Sequence, residues 1–179
     1  MTACASDSGE GVPKKPHDTA AAGCIPGGGG ALQAQLRGAL TADLEWPNEL
    51  ILCEGGARPD GKGLRITLAG PLPGDTSARQ IRFIFGIDYK DEATGSAQAL
   101  PTNVTIILEG EGRMFATRGN DRCAVEKLER SPLPADAGKF ERVHVRGYCT
   151  EPAAELAGSA RLLMPTFEFT GRVATGEAP

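Results

Sequence analysis

Apolar and polar residues alternate with a period of two from residue 31 to residue 46. The even positions hold the apolar side chains Leu32, Ala34, Leu36, Leu40, Ala42, Leu44 and Trp46. Such alternation is typical of a strand with one buried face. A helical stripe would need apolar partners three residues further on, where the chain has Gln35, Ala39 and Asp43, and Gly38 would cost a helix about 1 kcal/mol relative to alanine. The pattern therefore predicts a β-strand.

Short segments of the same kind follow along the rest of the chain. They cover residues 49–54, 64–68, 81–87, 104–108, 113–118, 123–130, 140–149 and 162–174. Turn-forming clusters separate them, such as Pro59-Asp60-Gly61 and Gly119-Asn120-Asp121. Only residues 151–160, after Pro152, are predicted to form a brief helix.

This spacing of short strands predicts an all-β fold. Seven to nine strands over about 145 residues favour an antiparallel β-sandwich, with a β-barrel as the runner-up. The aromatic fraction of 5% means that the core must consist mainly of aliphatic side chains. We expect residues 31–179 to form this single domain.

Residues 1–30 have a different composition. They are rich in alanine, glycine, serine, proline and charged residues, and they end in four consecutive glycines at positions 27–30. A segment of this kind buries too little apolar surface to fold by itself, and glycine-rich chains behave as flexible tethers. We therefore predict a tether that precedes the folded domain.

The five cysteines limit the possible chemistry and the compartment. No pair has the C-x-x-C spacing and the chain has only two histidines, which argues against a structural zinc site. Five is an odd number, so one cysteine must be free, modified or bonded to another molecule. With Cys4 set aside, four remain, and two disulfides would place the protein in an oxidising compartment.

A symmetric hairpin around residues 131–139 would place Cys123 opposite Cys149. It would also pair Val125 with Gly147 and Glu129 with Val143. A Cys123–Cys149 bridge would then close a loop of about 26 residues, which is worth roughly 3–4 kcal/mol in the chain-entropy treatment.

The second bridge, Cys24–Cys53, follows by elimination. It would attach the end of the tether to the first strands. The alternative is that Cys53 is a buried thiol and Cys24 is free.

The residues Met1-Thr2-Ala3-Cys4 resemble the lipobox of bacterial lipoproteins, with Met1 where that motif usually has leucine. The resemblance implies that Cys4 carries acyl chains after export. It also implies sorting to the outer membrane, facing the periplasm or the exterior, because Ala5 and Ser6 follow Cys4 instead of aspartate. Lipidation contributes about 0.8 kcal/mol per buried methylene group, so several chains would hold the protein at a bilayer.

Few residues suggest chemistry beyond the anchor. Asp88, Asp91 and Glu92 form the densest acidic cluster and are weak candidates for calcium ligands, although Lys90 interrupts them. His144 is expected on the outer face of its strand, opposite Val143 and Val145. No P-loop, G-x-S-x-G or H-E-x-x-H motif is present, so no catalytic residue and no cofactor are predicted.

The basic residues are scattered along the chain. Arg58 and Lys62 share one glycine-rich loop, and Arg79, Arg82, Arg113, Arg118 and Arg122 lie elsewhere. If several met at one end of the sandwich, they could bind an anionic ligand or a partner. The net charge of −4 and the absence of a basic stripe argue against nucleic acid as that partner.

Three functions fit these observations. The first is a lipid-anchored cell-envelope protein that binds or scaffolds an envelope protein or ligand without catalysing a reaction. The second is a carrier of a small apolar ligand, with a pocket lined by Trp46, Phe83, Phe85 or Phe167. The third is an enzyme that uses carboxylates for acid–base chemistry.

Overall fold

The computed structural model describes residues 23–74, 79–89, 99–134 and 138–175. Within these residues the chain forms twelve β-strands and one short 3-10 helix, η1 (Asn48–Leu50). The strands are β1 (Ala31–Gly38), β2 (Ala42–Pro47), β3 (Leu52–Ala57), β4 (Leu64–Pro71), β5 (Gln80–Ile87), β6 (Leu100–Leu108), β7 (Arg113–Ala116), β8 (Cys123–Pro132), β9 (Phe140–Cys149), β10 (Ala153–Glu155), β11 (Arg161–Leu163) and β12 (Phe167–Ala174). The predicted all-β class is confirmed.

The strands form one antiparallel hydrogen-bonded sheet that folds over on itself. The first layer contains β3, β4, β5, β6, β7 and β10 in spatial order, and the second contains β2, β1, β12, β9 and β8, with β11 joining β10 to β1. Where the structure describes the chain, β3 pairs only with β4 and β2 only with β1, so both are sheet edges. The result is a sandwich, as predicted, and not the closed barrel that was the runner-up.

Side chains from both layers meet in one core. The ring of Phe85 on β5 lies 5.0 Å from that of Phe167 and 4.9 Å from that of Phe169, both on β12, measured between centroids. Trp46 on β2 crosses to the first layer, where its ring is 5.9 Å from that of Phe83. These aromatic rings are at most 3% exposed. The side chains proposed to line a ligand pocket therefore pack against one another in the core.

The structure has more strands than predicted because two apolar runs divide. The run 31–46 turns after Gly38, which has a φ of +111°, and forms the hairpin of β1 and β2. The run 162–174 divides into β11 and β12. The even positions Leu32, Leu36, Leu44 and Trp46 all remain buried, so the predicted alternation is confirmed on both sides of the turn.

The helix predicted at residues 151–160 is wrong. Residues Ala153–Glu155 form β10, whose backbone pairs with β7 on one side and β11 on the other. Hydrogen bonding to two neighbouring strands outweighs the weak local preference for a helix after Pro152.

Both predicted disulfides are present, Cys24–Cys53 and Cys123–Cys149. The first joins the segment before β1 to β3 in the opposite layer, and Cys24 and its neighbour Ile25 are buried. The folded part thus includes residues that the sequence assigned to the tether, which was predicted to extend to residue 30. The Asn48 side chain holds the same segment by accepting hydrogen bonds from the backbone N–H groups of Ile25 and Gly30.

The second disulfide lies at a register pair of the β8–β9 hairpin. Cys123 faces Cys149 and Val125 faces Gly147, as predicted. The third predicted pair is wrong, because a β-bulge between Val125 and Lys127 shifts the register by one residue. Glu129 consequently faces His144 instead of Val143.

Candidate functional site

Several residues singled out from the sequence lie outside the described part of the chain. These are Cys4, the proposed lipidation site, and two of the three calcium candidates, Asp91 and Glu92. The third candidate, Asp88, accepts a hydrogen bond of 3.2 Å from the side-chain amide of Asn120. Among the residues that the structure describes, no three His, Cys, Asp or Glu side chains are grouped so that they could hold a metal ion.

Most of the basic residues singled out from the sequence form ion pairs with carboxylates of neighbouring residues. Arg58 binds Asp60, Arg82 binds Glu109 with an Nε–Oε1 distance of 2.6 Å, and Arg122 binds Glu151. Arg79 and Arg113 share Glu111, and Arg113 also binds Glu155 at 2.7 Å. The structure thus brings Arg79 and Arg113 together at Glu111, and carboxylates balance the charge of these arginines.

Two of these carboxyl groups titrate below their ordinary range. The hydrogen bond from Arg113 holds the pKa of Glu155 below its usual 4.5. The hydrogen bond from the backbone N–H of Lys62, together with the charge of Arg58, lowers the pKa of Asp60. Both groups are surface members of local ion pairs, and neither pKa is raised as a catalytic acid would require.

The loop between β3 and β4 forms one end of a small cavity. Lys62 lines this cavity of 440 Å³ together with Tyr89, Arg130 and Thr175. Arg130 is already engaged there, because it donates a hydrogen bond to the Tyr89 hydroxyl at 2.8 Å and forms an ion pair with Glu141 at 2.6 Å. Of the predicted basic residues, the structure thus brings only Lys62 to this cavity.

His144 lies on the outer face of the second layer, as predicted. Its Nε2 atom is 2.8 Å from Oε1 of Glu168, and its Nδ1 atom is 3.6 Å from Oε2 of Glu129. The two carboxylates lie at opposite sides of the ring. This geometry fits a surface ion-pair network. Thr170, the register partner of His144, places a hydroxyl on the same face, but both ring nitrogens of His144 lie near carboxylates.

The outer face of the first layer carries a row of apolar side chains. Register pairs and the hydrogen bond from Leu156 N–H to the Met114 carbonyl connect the row Leu52, Ala69, Arg82, Ile107, Met114 and Leu156. We call these six residues the apolar row. Leu52 is 61% exposed, Met114 37% and Leu156 64%. The single charged member, Arg82, is neutralised by Glu109.

The next row on the same face is also poor in charge. It contains Thr67, Ile84, Thr105, Ala116 and Ala154, with Glu54 at its β3 end. The first layer therefore carries two adjacent rows of mainly apolar and small side chains on its outer side. Their β4 members are little exposed, Ala69 at 1% and Thr67 at 7%, so the exposed apolar surface is at Leu52, Met114 and Leu156. Groups of exposed apolar side chains on monomeric proteins often mark binding sites.

The outer face of the second layer is polar by contrast. A matching row across it reads Glu45, Gln33, Glu168, Arg146 and Lys127. A shallow depression of 440 Å³ lies over this row and is lined by Gln33, Glu45, Glu168 and Arg146 among others. The two outer faces of the sandwich thus differ sharply in chemistry.

Part of the apolar row can be recognised in the sequence, from apolar stretches that do not alternate with polar residues. In β5 the stretch Phe83-Ile84-Phe85 is apolar at every position, and in β6 Ile106, Ile107 and Leu108 are likewise consecutive. Continuous apolar runs occur in strands whose two faces are both covered. Met114, Leu52 and Leu156 carry no such signal, because their place on this face depends on strand pairing.

Comparisons with known proteins give no relative from which a function could be transferred. No family model, curated protein or solved structure matches the chain. In the described residues, no helix has the length and apolar character needed to span a bilayer.

Proposed function

We propose that this protein is a non-enzymatic binding module of the bacterial cell envelope, anchored to the outer membrane through lipid on Cys4. It docks an envelope protein through the apolar row on the first layer. The observation that carries the proposal is the contrast between this apolar outer face and the charged outer face of the second layer.

The two disulfides support an exported location. Both close loops within a small domain, with sequence separations of 29 and 26 residues. Such bridges persist in oxidising compartments and are rare where thiols are kept reduced. Export is also what a lipobox-like motif at Cys4 requires.

The chemistry of the apolar row supports the proposal of a protein partner whose own docking surface is apolar and weakly charged. Leu52, Met114 and Leu156 are the most exposed members of a row that crosses five strands and ends at Leu156, just after β10. Full burial of a side chain of this size contributes about 1.5–3 kcal/mol, so three of them supply a substantial part of the free energy that association requires. The Arg82–Glu109 ion pair adds no net charge to the face.

Site-specific photocrosslinking in cells tests this docking. A photoreactive side chain at position 114, in the lipidated full-length protein, should give a defined cross-linked product with an envelope protein. The same group at Gln33, which is exposed on the outer face of the second layer, is the matched control and should not give that product.

A second measurement introduces negative charges into the apolar row. Leu52→Glu combined with Met114→Glu should abolish the product formed by a photoreactive group at Ile107, while Gln33→Glu leaves it intact. A product that forms equally from positions 114 and 33 would refute docking through the apolar row. Mass spectrometry of the same exported protein tests the anchor, since an unmodified Cys4 thiol would contradict it.

A further inference from the structure

Two arginines face each other on the outer side of the second layer. Arg172 on β12 and Arg142 on β9 are register partners of neighbouring antiparallel strands. Like charges directly opposite each other on a sheet repel and destabilise the pair. An arrangement of this kind calls for a compensating negative charge.

No carboxylate of the described residues supplies that charge. Eight other arginines there form ion pairs with Asp or Glu, whereas Arg142 and Arg172 form none. The nearby carboxylates are engaged elsewhere: Glu129 and Glu168 face His144, and Glu141 binds Arg130. Arg172 instead lies over the Phe140 ring, with its guanidinium carbon 4.6 Å from the centroid.

A depression of 570 Å³ opens beside Arg142. Its lining also includes the hydroxyl side chains Ser131 and Thr170, the backbone of Gly29, and the side chains Arg130, His144 and Glu129. The Glu129 carboxylate on this wall lies 3.6 Å from Nδ1 of His144. Arginine guanidinium groups and hydroxyl groups are the side chains that hydrogen-bond phosphate-type oxygens. The depression therefore offers several such donors around one unpaired cation.

The glycine segment at residues 27–30 forms the rim of this depression at Gly29. Gly27, Gly28 and Gly29 have positive φ values of 82°, 95° and 89°. No atom lies within 4 Å of where a Cβ would stand on Gly27 or Gly28, and at Gly29 that position is 3.4 Å from a guanidinium nitrogen of Arg142. The N–H groups of Gly28 and Gly30 already donate to the Ile25 carbonyl and to the Asn48 side chain. Beside Arg142, the exposed backbone therefore leaves the N–H of Gly29 for an anion that approaches closely.

We propose that Arg142, Arg172 and the glycine segment form a binding site for a phosphate-type oxyanion. The anion neutralises the facing arginines and accepts hydrogen bonds from Arg142 and the hydroxyl groups beside it. This site is on the opposite outer face from the apolar row, so it does not depend on the proposed docking. Its ligand is either free phosphate or the phosphate of a lipid headgroup, which share this chemistry.

Titration of the full chain with inorganic phosphate at constant ionic strength tests the site. Amide NMR signals of Gly29 and Thr170 should shift in a saturable way. Because hydrogen bonds to charged groups are strong, Arg142→Gln should weaken binding about tenfold or more. Arg172→Gln removes only the facing charge and should weaken binding by a smaller factor. Arg65→Gln is the matched control, since Arg65 lies on the first layer and also has no ion pair in the described residues; it should leave the affinity within about twofold.

Vesicles distinguish the two sources of phosphate. If the ligand is a headgroup, the protein should bind phosphatidylcholine vesicles that contain phosphatidic acid better than pure phosphatidylcholine, and Arg142→Gln should remove the difference. If it is free phosphate, only the NMR titration responds to the variants. Absence of saturable phosphate binding together with absence of Arg142-dependent vesicle binding would overturn the proposal, as would equal losses in Arg65→Gln.

Discussion

Replacement of Gly70 by alanine should loosen the contact between the two layers at their edge. Gly70 on β4 lies directly under the indole ring of Trp46, the residue of β2 that crosses to the first layer. A Cβ on Gly70 would stand 2.7 Å from Cδ2 of Trp46 and 2.8 Å from Cε2 and Cε3. Ordinary contact begins at 3.4 Å, so the ring has to move away.

The ring has little freedom to do so. Its Nε1–H donates a hydrogen bond of 2.9 Å to the carbonyl of Pro71, and the ring packs near Phe83, 5.9 Å between centroids, in a core that is 0–3% exposed at these side chains. Overpacking of this kind costs about 1–3 kcal/mol, and a weakened hydrogen bond adds about 1 kcal/mol. We expect Gly70→Ala to lower the free energy of unfolding by about 2–4 kcal/mol.

Urea denaturation followed by tryptophan fluorescence measures this effect, because Trp46 is the only tryptophan of the chain. Gly56→Ala on the adjacent strand β3 is the matched control, since the nearest atom to its built Cβ is 3.9 Å away. That control should be neutral or stabilise by up to about 1 kcal/mol, through a smaller entropy of the unfolded chain. Equal stabilities of the two variants, with an unchanged Trp46 emission spectrum, would refute the packing argument.

Three further predictions concern other parts of the fold. Asn48→Ala should lower the free energy of unfolding by about 2 kcal/mol, because it leaves two buried backbone N–H groups without an acceptor, and amide hydrogen exchange at residues 25 and 30 should accelerate. Joint replacement of Cys24 and Cys53 by alanine should lower it by about 3–4 kcal/mol in guanidinium denaturation; a loss below about 1 kcal/mol would contradict the chain-entropy estimate. Glu155 has a folded-state pKa below 4.5, so it stabilises the protein above that pH and the contribution disappears as the pH falls through the folded-state pKa. Glu155→Gln and Arg113→Gln should both reduce the acid-induced loss of stability between about pH 5 and pH 3, and an unchanged pH slope in both would refute this assignment.

The fold class was predictable because alternation depends only on which face of a strand is buried. Leu32, Leu36, Leu44 and Trp46 keep the same parity across the turn between β1 and β2, so the burial pattern was correct even though the strand count was not. The strand β10 was not predictable, since its conformation comes from its two neighbours. A three-residue segment has too little sequence of its own to indicate such pairing.

The candidate surfaces could be predicted only in part. The unbroken apolar stretches of β5 and β6 indicate that Ile84 and Ile107 face a second apolar environment. That Leu52, Met114 and Leu156 extend this row depends on register across five strands and on the segment after β10, which no local pattern contains. That Arg142 lies opposite Arg172 likewise results from the pairing of β9 with β12, which are separated in the chain by β10 and β11.

The bulge in β8 shows how one extra residue determines which charges reach the surface. Without it, the symmetric register would point Leu128 outwards and turn Glu129 towards the core beside Val143. With it, Leu128 pairs with Val145 and packs against the core, while Glu129 pairs with His144 on the outer face. The sequence contains the reason, because the apolar positions of β8 change parity between Val125 and Leu128. A bulge is the local solution that keeps both apolar side chains inside, and it brings Glu129 to His144 on the outer face, where both line the depression beside Arg142.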